Sequence, residues 1–537
     1  MPVVLSPAEF SKPHTRFGFL LFWAFPLILA VMVGTFTLDG GFVQDDKAAI
    51  LISPLVQNEN ISLSDFFYRD SWGFPGSENG TYVWRPLLPM IWRLVWVLQP
   101  GSSFAYRFLT LLLHLTATGM VLLLGYRLLR ESTIVWAAAA LFAVHPLHAE
   151  ALGTIVGQAD ILAALLGMIA IYVALEFNNR STPFLVLGVL ILACLAKESA
   201  VVFSAAIVVV SLMHPRMELR RRLAVSFCAA LVTILTVLVQ MSLKRAGPDV
   251  IDNIGFAAHG VIKLFHALYV IGRAVGMCFV PNGMSPFHDY AAVDLSLGTL
   301  LPYAIPGLLF LCLGIGAFFI SLKRRSIPGV IGTGLLLGPV IINSSLIVSV
   351  GTELAERLLY PATIAASGIA AFLIFKAAGL RLGRVAIVVL VLLFSVQSWS
   401  AQRPWRNQLD LYAHGAANEP LSARLHAYYA VNLLFHKQVL EAAWHLMART
   451  YIIVHFPNRV DPLPIEQLEQ LQVEQRLLEG PAVFRPEDPC GFLGDYYRHL
   501  QTRTPKLEPY MRNVLSEHYT ACTDPPSVQT TPAKPEE

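Results

Sequence analysis

The stretch "FGFLLFWAFPLILAVMVGTFTLDGGFVQDDKAAI" (17–50) decides how the rest of the chain is read. Its first part, 17–38, is an aromatic, apolar run long enough to cross a bilayer as one helix. No small-x-small cleavage site follows, so the run reads as an uncleaved anchor rather than a signal peptide. Lys12 and Arg16 precede it and favour a cytoplasmic N-terminus. The polar part then opens on the far side of the membrane with two adjacent carboxylates, Asp45 and Asp46, and a lysine, Lys47.

The same pattern of apolar runs and basic ends recurs along the chain. Of 537 residues, 55% are hydrophobic and 14% charged, and the mean hydropathy is +0.58. A soluble globule is far less apolar. Further spans are expected near 104–126, 133–149, 159–177, 183–197, 199–213, 222–243, 296–320, 327–350, 357–376 and 385–401, about eleven helices with the first. Arg127 and Arg130, Arg180, "HPRMELRRR" (214–222), "KRR" (323–325), and Lys376, Arg381 and Arg384 follow alternate spans. All fall on the cytoplasmic side if 261–281 is re-entrant or interfacial rather than crossing. Loops 39–103 and 244–295 and the tail 402–537 are then extracytoplasmic. In the first loop, 66–74 and 82–98 are amphipathic and suited to the interface.

The expected fold is thus an all-α polytopic membrane protein. It comprises a transmembrane domain over 1–401, a small helical extracytoplasmic domain over 402–525 and a disordered tail over 526–537. The segment 421–454 has helical periodicity and suits one helix pair of the tetratricopeptide kind. Cys194, Cys228, Cys278 and Cys312 lie in or near apolar runs and read as buried packing. Cys490 and Cys522 lie in the polar C-terminal region, where a disulfide is open to them if it is extracytoplasmic. A net charge of +3 leaves no nucleic-acid footprint.

Chemistry is sought among ionisable residues at the outer ends of spans. Asp45 and Asp46 read either as a solvated helix end with Lys47 as counter-charge, or as a general base whose neighbour raises its pKa. In "HPLHAEALGTIVGQADIL" (145–162), His145, His148 and Glu150 cluster at the outer face. The spacing of the two histidines permits metal ligation. Pro146 breaks the turn and no further histidine is close, which favours hydrogen bonding in a polar pocket and no metal. Asp160 enters the next span, where a charge is costly and suggestive of function. Lys197 and Glu198, in "AKES" (196–199), form either a turn ion pair or an anion site. Glu353, Glu356 and Arg357 open the tenth span from outside. Arg357 either grips a phosphate bidentately or snorkels and pairs with Glu353 or Glu356. Arg403, Trp405 and Arg406 suit an interfacial anchor. The chain has no Walker loop, GxGxxG, GxSxG or HExxH, which argues against a nucleotide-driven pump.

Taken in order, "FVQDDKAAI" (42–50), "SLSDFFYRDSWG" (62–73), "WRPL" (84–87), "RFLTLLLH" (107–114), "LFAVHPLHAEALGTIVGQADIL" (141–162), "LAKES" (195–199), "ELAERLLYP" (353–361) and "RPWRNQLDLY" (403–412) carry a resemblance. They resemble the transmembrane and tetratricopeptide-repeat O-mannosyltransferases, glycosyltransferases of the C-class (GT-C) fold. The short loops and tail suit a bacterial-type homologue with a shortened C-terminal region. Two departures stand out. The resembled proteins carry a long repeat array after the membrane domain, and "GQAD" replaces the more usual Gly-Arg-Ala-Asp.

The resemblance implies a multi-pass enzyme of the inner (plasma) membrane. It would transfer a sugar, mannose first, from a polyprenyl-phosphate donor to a hydroxyl of an extracytoplasmic protein, with inversion. Asp45, preferred over Asp46, would take the acceptor's proton. Arg357 leads the donor-binding residues, followed by Glu356, Lys197, His148, Glu150 and Asp160. No cofactor is implied, and a divalent metal is not required. A glycolipid or cell-surface polysaccharide acceptor is the alternative. A transporter of lipid-linked sugars and an assembly protein are the readings outside enzymology.

Overall fold

A computed structural model describes residues 16–449, apart from 74–82, 216, 243–254, 256–257, 282–294, 347–351, 353, 420–421 and positions scattered over 437–448. The described residues are helical, with no strand among them. Lipid offers no hydrogen-bond partners, so apolar runs of this length must satisfy their backbone internally, and a helix does this within one segment.

The helices run α1 (Arg16–Gly34), α2 (Leu87–Leu98), α3 (Ser103–Leu129), α4 (Ser132–Ala143), α5 (Ala149–Gly153), α6 (Gln158–Glu176), α7 (Thr182–Ala196) and α8 (Val201–Met213). They continue through α9 (Leu219–Ser242), α10 (Gly260–Phe279), α11 (Leu297–Lys323), α12 (Ile327–Asn343), α13 (Tyr360–Gln402), α14 (Gln408–Asn418) and α15 (Ala423–Phe435). Serine caps set several starts. Ser102, Ser296, Ser326 and Ser422 each accept an N–H from three residues on, satisfying a donor the first turn leaves open.

Among the described residues six helices are long and apolar enough to cross a membrane, or seven if one bent pair counts as a span. Sequence reading expected about eleven. The difference lies in α1, whose described part Trp23–Thr37 is short, in α7, α8 and α12, with 15, 13 and 17 residues, and in α13. The last two expected spans form one continuous stretch, broken where Gly379 takes φ 69° and ψ −178°. The bent pair is α4 with the turn and short helix after it, meeting at 46°. Pro146 opens that turn, where no preceding helix can continue through it. The segment expected to lie re-entrant or interfacial is α10, whose 20 residues are long and apolar enough to cross.

The chain divides into two units. The first comprises 1–249, 255–289 and 295–407; the second comprises 250–254, 290–294 and 408–537. In the first, α6 is the most enclosed long helix, packed by α3, α7 and α8. Leu309, Leu313 and Phe319 on α11 and Leu392 and Val396 on α13 point outward, an apolar exterior suited to lipid. Cys194 and Cys278 are buried as expected, but Cys312 is exposed on the same outer face of α11 and packs no core. In the second unit α14 and α15 pack together, with Tyr412 against Tyr428. The helix expected from 421 is seen as α15. Cys490, Cys522 and the expected disordered tail lie outside the described residues.

Candidate active site

The acidic pair splits on folding. Asp46 is fully buried, whereas Asp45 keeps partial exposure. One Asp46 oxygen accepts the backbone N–H groups of Ile155 (2.8 Å) and Val156 (3.2 Å), and the other accepts that of Val43 (3.3 Å). Asp46 thereby ties the start of the first loop to the turn that leads into α6. Gln44, just before the pair, sits in the left-handed region at φ 48°, and a five-residue π-helical turn, Lys47–Leu51, follows it. Such backbone outliers persist where their surroundings hold them and tend to gather at functional sites.

Burial pushes the Asp46 carboxyl up to about 7, against the opposing pull of the Arg107 charge and the three N–H donors. The native state therefore keeps a proton that the unfolded chain, with this carboxyl near 3.8, releases. Stability from this group is complete below the unfolded value and is lost as pH rises through the folded one. An Asp46→Asn protein cannot ionise there. Its thermal midpoint in detergent is expected to fall less between about pH 4 and pH 7 than that of wild type. Parallel curves would exclude Asp46 as the source.

Arg107, one turn into α3, is the centre of the frame and was given no role in the sequence reading. It is 2% exposed. Its guanidinium donates to the carbonyls of Gly153 (3.0 Å), Trp405 (3.2 Å) and Gly41. Three segments distant in sequence meet on one fork, and the Arg107 charge favours ionisation of Asp46 against its burial. Gly41 N–H also donates to Arg406 O (2.8 Å). Trp405 is 1% exposed and lies against Gly153, where an added Cβ would come within 2.4 Å of the indole. This corrects the expected interfacial anchor: Trp405 is a buried strut, and Arg406 pairs with Asp39.

Three ion pairs converge nearby, none of them between sequence neighbours. Arg357 pairs with Glu150, whose second oxygen accepts the Arg357 backbone N–H at 2.9 Å. Lys197 pairs with Asp160 at 2.6 Å. Arg85 meets Glu198 in two parallel bonds of 3.0 and 2.8 Å. The expected turn pair of Lys197 with Glu198 is thus replaced by distant partners for both, and Arg357 has a distant partner in Glu150. Arg85 is influenced by the charges of Asp160 and Arg357, and Lys197 by those of Arg85, Glu198 and Arg357, so the three pairs form one cluster. Burial raises the Glu198 carboxyl, but Arg85 and then Lys197 outweigh it and hold it down to about 2. Glu356 is buried at the start of the turn that carries Arg357. Glu353 lies outside the described residues.

The histidines point elsewhere. His145 accepts from Leu147 N–H on Nδ1, so Nε2 carries the proton and donates to Cys278 O (3.1 Å). Thr363 spends its hydroxyl proton on Tyr360 O (2.7 Å) and so accepts from His148 Nε2 (2.8 Å). His114 bridges Ala143 O and the Tyr360 hydroxyl. The rings are thus spent on bonds to α4, α10 and α13, and among the described residues no three His, Cys, Asp or Glu side chains converge as metal ligands. His148 Nδ1 is left buried without a partner. Gln158, the residue that departs from the resembled motif, is fully buried. It bonds to Trp92 Nε1, Tyr106 O and Thr110 Oγ1 at 2.8–3.0 Å. Its amide fastens α6 to α2 and α3.

No family model and no solved structure matches the chain. Curated relatives do. A protein O-mannosyl-transferase of Caenorhabditis elegans is 26% identical over 411 residues, covering 72% of this chain and 56% of its own length. Human protein O-mannosyl-transferase TMTC4 is 25% identical over 483 residues, 77% of this chain and 64% of itself. Drosophila melanogaster Tmtc1 is 35% identical over 178 residues, 32% of this chain and 20% of itself. The chain therefore spans less than two thirds of the length of these relatives. Over most of its length the chain is thus similar to protein O-mannosyl-transferases.

Proposed function

We propose that the chain is a membrane glycosyltransferase of GT-C architecture. It transfers mannose from a polyprenyl-phosphate donor to a hydroxyl of an extracytoplasmic protein. The names of its relatives support mannose transfer to protein. The observation that carries the reading here is the division of labour in the acidic pair: Asp46 is spent on three backbone amides, while Asp45 stays partly exposed beside it.

In this reading Asp45 takes the proton of the acceptor hydroxyl as its oxygen attacks the anomeric carbon. The bond to the lipid phosphate breaks on the opposite face, so configuration inverts. The leaving phosphate is a stable anion and needs electrostatic stabilisation more than a proton. Arg357 supplies that, oriented by Glu150 through both its guanidinium and its own backbone N–H. Arg85 is the second cation within reach. The apolar exterior lets a lipid tail remain in the bilayer while its head is bound. The active face and the second unit are extracytoplasmic, and the N-terminus is cytoplasmic. No step calls for a metal or cofactor.

Arg357→Ala is expected to weaken binding of polyprenyl phosphate by about 10- to 100-fold, the worth of a charge-assisted contact, as read by titration of the purified chain. Unchanged affinity would remove Arg357 from the phosphate site. The function itself is tested by incubating membranes that contain the chain with radiolabelled polyprenyl-phosphate mannose and isolating the product. Label in protein, with the anomeric configuration opposite to the donor's, is the expected result. Label in glycolipid or polysaccharide would transfer the chemistry to the alternative acceptor. Retained configuration would overturn direct attack assisted by Asp45.

A further inference from the structure

The Lys197–Asp160 pair is less than half used. Asp160 is 2% exposed; its Oδ1 takes Lys197 Nζ at 2.6 Å, and its Oδ2 is buried with no partner. The Lys197 side chain is 4% exposed. An ammonium has three N–H donors, and among the described residues Lys197 spends one, on Asp160. A buried ion pair repays its desolvation only when the remaining lone pairs and protons are also bonded. The pair therefore holds an unspent acceptor next to unspent donors in a dry place.

A phosphate does not match this arrangement. Its oxygens only accept, so Asp160 Oδ2 would stay unpaired and repel the anion. The pair as a whole is neutral and adds little attraction for a negative head group. Two adjacent hydroxyls on a pyranose ring do match. One donates to the carboxylate, and its neighbour accepts from the ammonium. Arg357 and Arg85, whose side chains are 20% and 23% exposed, influence Lys197 electrostatically and remain for the phosphate.

We infer that Lys197 and Asp160 together read a vicinal diol of the donor's hexose, making them specificity-determining residues rather than part of the phosphate grip. This rests on the glycosyltransferase reading above. The position agrees with it. Asp46 fastens Ile155 and Val156, the turn that runs directly into α6 and Asp160, so the acidic pair is tied to the backbone just ahead of the diol reader's carboxylate.

The test compares two probes, polyprenyl phosphate and polyprenyl-phosphate mannose, on the full chain in lipid nanodiscs. Replacing both members, Lys197→Met with Asp160→Leu, avoids stranding one buried charge. Wild type is expected to bind the sugar-bearing lipid about 10²- to 10⁴-fold more tightly, the worth of two charge-assisted bonds. The double variant should bind both probes alike, at the wild-type affinity for the sugar-free lipid. Donors lacking single hydroxyls provide a second measurement. Two adjacent positions should each weaken wild-type binding and leave the double variant unmoved. A double variant that keeps the sugar preference, or that loses both probes equally, overturns the inference and leaves the transferase reading standing. Wild type binding neither probe overturns the transferase reading itself, and the inference with it.

Discussion

Asp45→Asn is expected to lower transfer by about 10²- to 10⁴-fold while the donor binds as before. The amide nearly matches the carboxylate in size but cannot accept a proton from the attacking hydroxyl. The phosphate and sugar contacts assigned above come from Arg357, Arg85, Lys197 and Asp160, none of which the substitution touches. Single-turnover transfer measured beside donor titration separates the two quantities. A loss of donor affinity in step with turnover would recast Asp45 as a binding residue. An unchanged rate would remove it from the chemistry. Asp46→Asn gives the contrast: its buried amide oxygen can still accept the Ile155 and Val156 N–H groups, but its NH2 cannot accept from Val43, so the substitution should act mainly through stability and its pH dependence.

Arg107→Ala is expected to cost about 3–5 kcal/mol of stability, the range for removing one member of a buried charged contact. The loss has two parts. The carbonyls of Gly41, Gly153 and Trp405 lose a shared donor, and Asp46 loses the charge that favours its ionisation. Arg107→Lys keeps the charge but not the planar fork that reaches three carbonyls at once, so it should recover only part of the loss. Thermal unfolding in detergent measures both. An alanine variant as stable as wild type would mean that the three segments are held together by packing alone.

The membrane character was legible because it rests on long apolar runs and on where basic residues fall. The division into spans was less so, since α7, α8 and α12 are shorter than a typical span and one break in α13 depends on a single glycine. At the site, Asp46, Glu150, Asp160, Lys197 and Arg357 could be singled out as costly charges at helix ends. Their partners could not. Adjacent residues invite local pairing, yet Lys197 reaches back 37 residues to Asp160 and Arg357 reaches back 207 to Glu150. Only the folded bundle makes those neighbours. Arg107 carries a signal of its own, a charge within an apolar run. Arg85 carried almost none, because a loop arginine beside a tryptophan and a proline is commonplace. Trp405 misled for the same reason. An aromatic flanked by arginines at a helix end resembles a membrane anchor until Gly153 is seen to receive it.

The most direct test of the central claim places purified wild type and Asp45→Asn in sealed lipid vesicles. Both receive radiolabelled polyprenyl-phosphate mannose and a detergent extract of host envelope proteins. Label entering protein with wild type and not with Asp45→Asn is the expected result. Equal label with both proteins, or none with wild type although the donor is bound, would contradict it.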